Sequence, residues 1–344
     1  MQLSYSAGRV EEFPRVLENK VVMKLSVVLP VRDEAPVIPD LVPRLTSALE
    51  ELDEWEIVFV DDGSVDSTWD LLRAAAEGDD RIRAIRFSRN FGHQVALSAG
   101  LHYATGDGVI TMDGDLQHPP EVIPSLLAKA LEGFDVVYAV RSASDSATWF
   151  KRASARWFYW LLNRLSSLDF PQAGGDFRYM SRRVVDALLA MPERHRFLRG
   201  MTRWVGFEQA TIEYHRAERA AGESKYSLRK MVAFAWDAVV SFSSVPLRVA
   251  STLGFACSFL GLVYLTYVIA VRLFTDKAVA GWTSVVAAVL ILGGVQLLCL
   301  GIIGQYLGRM YDEVKQRPLF LIAEDTSRRG ADELIETEEP SRQR

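Results

Sequence analysis

Short apolar runs rich in β-branched residues alternate with longer stretches of helical spacing through the first 140 positions of the chain. Residues 25–29, 56–60, 82–87, 108–112 and 135–140 have the length and composition of buried strands. Between them, residues 37–52, 67–76 and 120–131 repeat their apolar positions every three or four residues and predict helices. Strand, crossover helix and strand again imply an α/β fold with a mostly parallel sheet. Such sheets take ligands at the carboxyl ends of their strands, and the polar clusters fall there: 30–34, 61–66 and 113–117. Beyond Arg141 helical spacing returns at 147–168, and a Gly174-Gly175 loop then leads into 176–180. No internal repeat is visible.

The pattern changes late in the chain. Residues 249–271 and 278–308 carry no formal charge, and about 20 helical residues suffice to cross a bilayer. Two membrane spans are therefore expected, since the runs are too long for a buried hairpin in a soluble core. Arg229, Lys230 and Arg248 precede the first run, Arg309, Lys315 and Arg317 follow the second, and only Arg272 and Lys277 lie between. This asymmetry places both termini in the cytoplasm, at the inner membrane, with Trp282 near the outer interface. Residues 226–242 mix Leu228, Met231, Trp236 and Val239 with Arg229, Lys230 and Asp237, as an amphipathic helix in the headgroup plane would. The expected organisation is a flexible extension (1–23), a cytoplasmic sheet domain (24–220), a basic segment with the interfacial helix (221–247), the two spans (248–308) and a cytoplasmic tail (309–344). The tail is largely disordered in this reading, being charged and poor in aromatics from Ala323 onward.

Composition narrows the function. A 49% hydrophobic content over 344 residues supports a real core, and a net charge of -5 leaves no basic field for nucleic acid. Cys257 and Cys299 both lie in apolar stretches, so neither a disulfide framework nor a Cys-rich zinc site is available. No signal peptide is expected, because residues 1–20 include Glu11, Glu12 and Glu18 and no long apolar run.

Candidate chemistry sits at the strand ends. In an extended segment Asp113, Asp115 and Gln117 share a face and can offer oxygen ligands to one hard divalent cation, Mg²⁺ or Mn²⁺. Asp-x-Asp alone arises by chance in a chain of this length, but Pro119 and Pro120 stop the strand here and fix the cluster at the ligand edge. The neighbours Asp61 and Asp62 repel one another unless a ligand, metal or donor compensates them, and a nucleotide base and ribose supply such donors. His93 and His102 lie on a predicted helix, and His195 and His215 have no carboxylate or cysteine partner at metal-ligand spacing, so none is expected to take part in catalysis, whereas His118 adjoins the acidic motif and suits a supporting place.

Asp61-Asp62-Gly63-Ser64 after the second strand, residues 113–121 after the fourth and Gly174-Gly175-Asp176-Phe177-Arg178 further on resemble glycosyltransferase family two. Residues 89–92 and 222–226, with the paired spans, are similar to its polyprenyl-phosphate branch, which holds the GtrB and ArnC types and, more distantly, the dolichol-phosphate mannose synthases. The resemblance covers about residues 24–318. It implies a GT-A type domain and inverting transfer of one sugar from a nucleoside-diphosphate sugar to polyprenyl (undecaprenyl) phosphate. UDP-glucose is the first choice, with GDP-mannose and UDP-amino sugars open. By the resemblance, Pro30, Glu34, Asp61, Asp62 and Asp113 hold the nucleotide, Asp113, Asp115 and Gln117 the metal, and Asp176 and Asp115 serve catalysis. Arg216, Ser224, Lys225 and Arg229 would meet the acceptor phosphate and diphosphate.

Two departures stand out: Arg32-Asp33 replaces a frequent aromatic-Asn pair, and Gly200 replaces the Gln of the processive members' Gln-x-x-Arg-Trp before Arg203-Trp204. The second argues against a polymerising synthase. A homo-oligomer, a tetramer by resemblance, accords with the small residues Gly293, Gly294, Gly301, Gly304 and Gly308. A membrane-tethered nucleotidyltransferase and a non-catalytic scaffold or lipid transporter are the alternatives from other classes. Because a phosphate monoester is largely dianionic at pH 7, the acceptor needs no general base. Asp176 is expected to orient substrate or metal, with proton abstraction the other reading.

Overall fold

The computed structural model describes residues 23–141, 174–214, 245–274 and 281–327. The expected extension, the 147–168 helix, the interfacial helix at 226–242 and the chain beyond 327 lie outside these residues.

The sheet domain is built from β1 (Leu25–Val31), α1 (Ile38–Leu49), β2 (Trp55–Asp61), α2 (Thr68–Gly78), β3 (Ile82–Phe87), α3 (His93–Tyr103), β4 (Gly108–Thr111), α4 (Ile123–Leu131), β5 (Val136–Arg141), β6 (Gly174–Ser181), α5 (Arg182–Leu189), α6 (Leu198–Trp204) and β7 (Gln209–Tyr214). Two long helices follow, α7 (Val245–Phe274) and α8 (Trp282–Val314), and then β8 (Ile322–Asp325). Among the described residues the strands form one sheet in the order β7-β5-β6-β4-β1-β2-β3-β8. The strands β3, β2, β1 and β4 are parallel to one another, while β6 runs antiparallel to both β4 and β5.

Alternation along the central strands divides the core. Leu25, Val27 and Leu29 of β1 pack with Leu41 and Leu45 of α1, Trp69 and Leu72 of α2 and Leu126 of α4. Val28 joins Val58, Val60 and Ile85 on the opposite face, against Leu97 of α3, Val184 of α5 and Met201 of α6. Every residue of β1 is buried, which is why this strand reads as a continuous apolar run.

Both α7 and α8 contain apolar windows long enough to cross a membrane, 245–267 and 291–314, and their side chains are almost entirely unburied. The Cys299 thiol reaches the carbonyl of Ala250 at 3.4 Å, so the two helices touch. The second helix continues past the apolar run into its charged end, where the Arg194 N–H donates to Glu313 Oε1 at 2.8 Å and His195 lies 3.3 Å from Asp312.

The tail expectation requires correction. β8 pairs antiparallel with β3, so order extends to the last described residues instead of ending near Ala323. Asp325 pairs with Arg83, Glu324 with Arg86, and Phe320 stacks on Phe87 with centroids 5.1 Å apart. Glu324 and Asp325, the first charges of that stretch, are matched by Arg86 and Arg83 on the neighbouring strand, so composition alone misleads at 322–325.

Candidate active site

The parallel register places Val31 opposite Asp61, so the loops that follow β1 and β2 leave the sheet side by side. They are stitched together: the Asp33 N–H donates to Ser64 Oγ (3.0 Å), the Val65 N–H to Asp33 Oδ1 (2.9 Å) and the Glu34 N–H to Thr68 Oγ1 (2.9 Å). Pro30 lies buried within β1. Asp61 is fully buried. Its Oδ1 accepts the backbone N–H and hydroxyl of Ser64, whereas Oδ2 has no hydrogen bond and lies 3.5 Å from Arg86 Nε. Burial raises the Asp61 carboxyl above the ordinary aspartate value. The turn depends on Gly63 at φ +70°, where a Cβ would meet the Arg89 carbonyl carbon at 2.7 Å.

Asp62 points elsewhere. Its carboxylate accepts the Phe91 N–H at 2.7 Å and the Gly92 N–H at 3.0 Å, which fixes the entry into α3 and hence the first residue of that helix, His93.

After β4 the Asp113 N–H donates to His118 Nδ1 at 2.9 Å, leaving the ring proton of a neutral imidazole on Nε2. His118 also stacks on Phe177. Asp115 Oδ1 accepts the Gln117 N–H at 2.9 Å, closing a turn in which Leu116 has φ 57°. Glu34 faces this acidic group from the β1 loop. Burial first, then the charges of Asp115, Asp66, Asp33 and Asp113, push its carboxyl up to about 6.

Asp176 enters from β6, beside β4, where the Thr111 hydroxyl donates to its carbonyl at 2.6 Å. Its side chain, 4% exposed, takes Arg178 Nη2 on Oδ1 (3.1 Å) and both Arg199 Nε on Oδ1 and Arg199 Nη2 on Oδ2 (3.1 Å each). His93 Nε2 lies 3.2 Å from Oδ2. Burial alone would raise this carboxyl, but the His93 hydrogen bond and the two guanidinium charges outweigh it and hold Asp176 far below the usual carboxylate range. For His93, burial disfavours the charged ring, yet the hydrogen bond to Asp176 and the charges of Asp113 and Asp176 raise its pKa overall.

The cluster thus includes residues that sequence spacing does not reveal. His93, expected to be idle, stands between Asp113 and Asp176, and Arg199 and the fully buried Arg178 hold the latter. Arg178 belongs to the same Gly-Gly-Asp-Phe-Arg stretch as Asp176, whereas His93 and Arg199 come from helices distant in sequence and no local motif marks them. Arg216, Ser224, Lys225 and Arg229 lie outside the described residues.

Ligand atoms of His93, Asp113 and Asp176 lie within 4.8 Å of one another. Within that group the buried Asp113 Oδ1 has no hydrogen bond, while Asp176 is already committed to two guanidinium groups. The side chains fit a divalent cation centred on Asp113 better than one centred on Asp176. Burial, followed by the charge of Asp176, raises the Asp113 carboxyl despite His93 nearby, and a bound cation would relieve that cost.

Residues 26–189 match the family described as glycosyl transferase family 2, and residues 245–310 match the GtrB C-terminal hairpin. The chain is 43% identical over 301 residues to an uncharacterized glycosyltransferase, YkcC, of Bacillus subtilis, covering 87% of this chain and 93% of that one. It is 41% identical over 302 residues to a prophage bactoprenol glucosyl transferase homolog of Escherichia coli, covering 87% and 98%. With the bactoprenol glucosyl transferase of Shigella phage SfV it shares 42% identity over 302 residues, covering 87% and 98%.

Proposed function

The chain belongs to glycosyltransferase family 2, and from that membership we propose that it transfers one glucosyl unit from UDP-glucose to the phosphate of a membrane polyprenol. The observation that carries this reading is the joining of a family 2 domain to a GtrB hairpin in one chain, over a length shared with bactoprenol glucosyl transferases.

In the proposed reaction an oxygen of the polyprenyl phosphate attacks the anomeric carbon from the face opposite the diphosphate. The new carbon–oxygen bond forms as the bond to the diphosphate breaks, inverting that carbon and releasing UDP. A second-ionised phosphate needs no proton removed, which suits the state of Asp176. A carboxyl held ionised by Arg178, Arg199 and His93 is a poor proton acceptor and a good fixed charge. Asp176 then orients the groups around the anomeric centre. A Mg²⁺ or Mn²⁺ ion held by Asp113 and Asp115, with Gln117 beside them, would neutralise charge on the departing diphosphate. Asp61 Oδ2, buried and without a hydrogen bond, suits an N–H or O–H of the nucleoside, with Pro30 and Glu34 as further proposed contacts. Arg216, Ser224, Lys225 and Arg229 remain proposed contacts of the acceptor, drawn toward a headgroup-level phosphate. Both termini are proposed to be cytoplasmic, where sugar nucleotides are found, and the chain to assemble as a homo-oligomer.

The test is incubation of detergent-solubilised protein with undecaprenyl phosphate and a panel of UDP- and GDP-sugars. Glucosyl-phospholipid and UDP are expected in equal amounts. Product from another sugar nucleotide in place of UDP-glucose replaces the donor assignment, and pyrophosphate release from a nucleoside triphosphate and a sugar phosphate overturns the reading in favour of nucleotidyl transfer.

A further inference from the structure

β8 lays two consecutive carboxylates along β3, each paired with an arginine, and only one of them leads to the candidate site. Asp325 holds Arg83, whose guanidinium lies over Tyr103, away from the acidic cluster. Glu324 accepts from Arg86 Nη1 at 3.0 Å through Oε1 and from Trp69 Nε1 at 3.1 Å through Oε2. Arg86 in turn donates through Nη2 to the Ser64 carbonyl at 3.3 Å and keeps Nε 3.5 Å from Asp61 Oδ2. A residue that follows the second long helix is thus two contacts away from the buried, unsatisfied oxygen at the end of β2.

We propose that Glu324 is a positioning residue for nucleotide binding, acting through Arg86 on Asp61 and Ser64. The inference rests on the proposed function, since it assigns Asp61 to the nucleoside. The physical reason is competition for one guanidinium. An arginine beside a buried carboxylate tends to close into a bidentate pair, and doing so here would occupy Asp61 Oδ2. Glu324 draws the other edge of Arg86 outward, and the Ser64 carbonyl holds its second amino group. Arg86 then supports the Asp61 charge from 3.5 Å while leaving the buried Oδ2 without a hydrogen bond of its own. Trp69, holding the second oxygen of Glu324, keeps the carboxylate from turning away.

The experiment compares Glu324→Gln with Asp325→Asn in the full-length protein, reading UDP affinity by calorimetry, UDP-glucose KM and kcat, and melting temperature. Both substitutions remove an ion pair between β8 and β3, so a purely structural role predicts equal effects. The expected result is about a tenfold loss of UDP affinity and a matching rise in KM for Glu324→Gln, the scale of one hydrogen bond to a charged group, with kcat little changed. Asp325→Asn should leave both constants at the wild-type level. The double variant Glu324→Gln/Arg86→Gln should bind UDP no more weakly than Arg86→Gln alone, because a residue acting through another has no separate effect once that partner is gone.

Equal nucleotide affinity in Glu324→Gln and Asp325→Asn overturns the inference, as does additivity in the double variant. Should Glu324→Gln fail to fold, Arg86→Lys provides the second reading: its shorter donor set cannot serve Glu324 and Ser64 together, and wild-type UDP affinity in it overturns the inference. Wild-type protein that binds no nucleoside diphosphate overturns the proposed function as well, whereas wild-type binding with an unaffected Glu324→Gln removes only the positioning role.

Discussion

Arg199 meets Asp176 with two parallel hydrogen bonds, Nε to Oδ1 and Nη2 to Oδ2, each 3.1 Å long. The pair joins α6 to β6 at the place where β4 ends and α3 begins. From the buried side Arg178 adds a third guanidinium contact, and its Nη1 bonds Thr202 of α6 at 3.1 Å. One short helix therefore contributes both to the Asp176 carboxylate and to the arginine beneath it.

Replacing Arg199 by Ala should separate catalysis from folding. Arg199 is partly exposed, and Arg178 and His93 remain to balance Asp176, so the melting temperature should change little. Loss of one charged group that fixes the carboxylate should reduce kcat by about 10²-fold, the scale seen when a preorganised donor is removed. Asp176→Asn should be different in kind. It leaves the buried Arg178 without its counter-charge and should destabilise the fold by about 3–5 kcal/mol, besides abolishing transfer. Parallel melting curves and kcat measurements on the two variants check this, and equal destabilisation would contradict it.

Glu34 predicts a pH dependence with a defined sign. Its carboxyl is raised to about 6, so between the ordinary glutamate value and 6 the folded chain binds a proton that the unfolded chain does not. Stability from this group therefore falls as pH rises through that window and stays reduced above it. Glu34→Gln should raise the melting temperature at pH 7.5 and give no gain at pH 4.5. The same difference at both pH values would show that the cost of ionising the half-buried, crowded Glu34 is not the cause.

Divalent cations should be required for turnover. Asp115→Asn is expected to keep the fold and lower turnover by several orders of magnitude, because both binding and leaving-group stabilisation suffer. Excess chelator should abolish wild-type activity, and Mg²⁺ or Mn²⁺ should restore it. Full activity in chelator would refute the assignment.

Membrane orientation can be read by labelling. After replacement of Cys257 and Cys299 by Ala, a cysteine at Ala280 should react with an impermeant reagent from outside the cell and one at Ser327 should not. The reverse pattern would invert the topology and remove access to cytoplasmic sugar nucleotides.

The sheet was legible because β1 and β2 are buried almost throughout and read as apolar runs, and β3 keeps Ile82, Ala84, Ile85 and Phe87 buried, with the acidic turns marking one edge. Asp61, Asp113 and Asp115 could be singled out for the same reason: each ends a strand or follows one. His93 and Arg199 could not be assigned, and Arg178 showed only as part of the Gly-Gly-Asp-Phe-Arg stretch. A histidine that opens a helix and an arginine inside another carry no periodic signal, and their meaning comes from a buried aspartate that tertiary folding brings between them. β8 was hidden by a related effect, since its stability comes from ion pairs with Arg83 and Arg86 and from Phe320 against Phe87 instead of from an apolar stretch of its own.

The continuous passage of α8 into the domain has a further consequence. Asp312 and Glu313 fasten the helix end to residues 194–195, and after residues 315–321 the chain is woven into the sheet as β8. In the proposed membrane arrangement such a joint ties the sheet domain to the end of α8 by both a side-chain clasp and a strand. For the proposed lipid-borne acceptor, confined to a plane, the search for this domain would be diffusion in two dimensions, ending beside the helix that carries it.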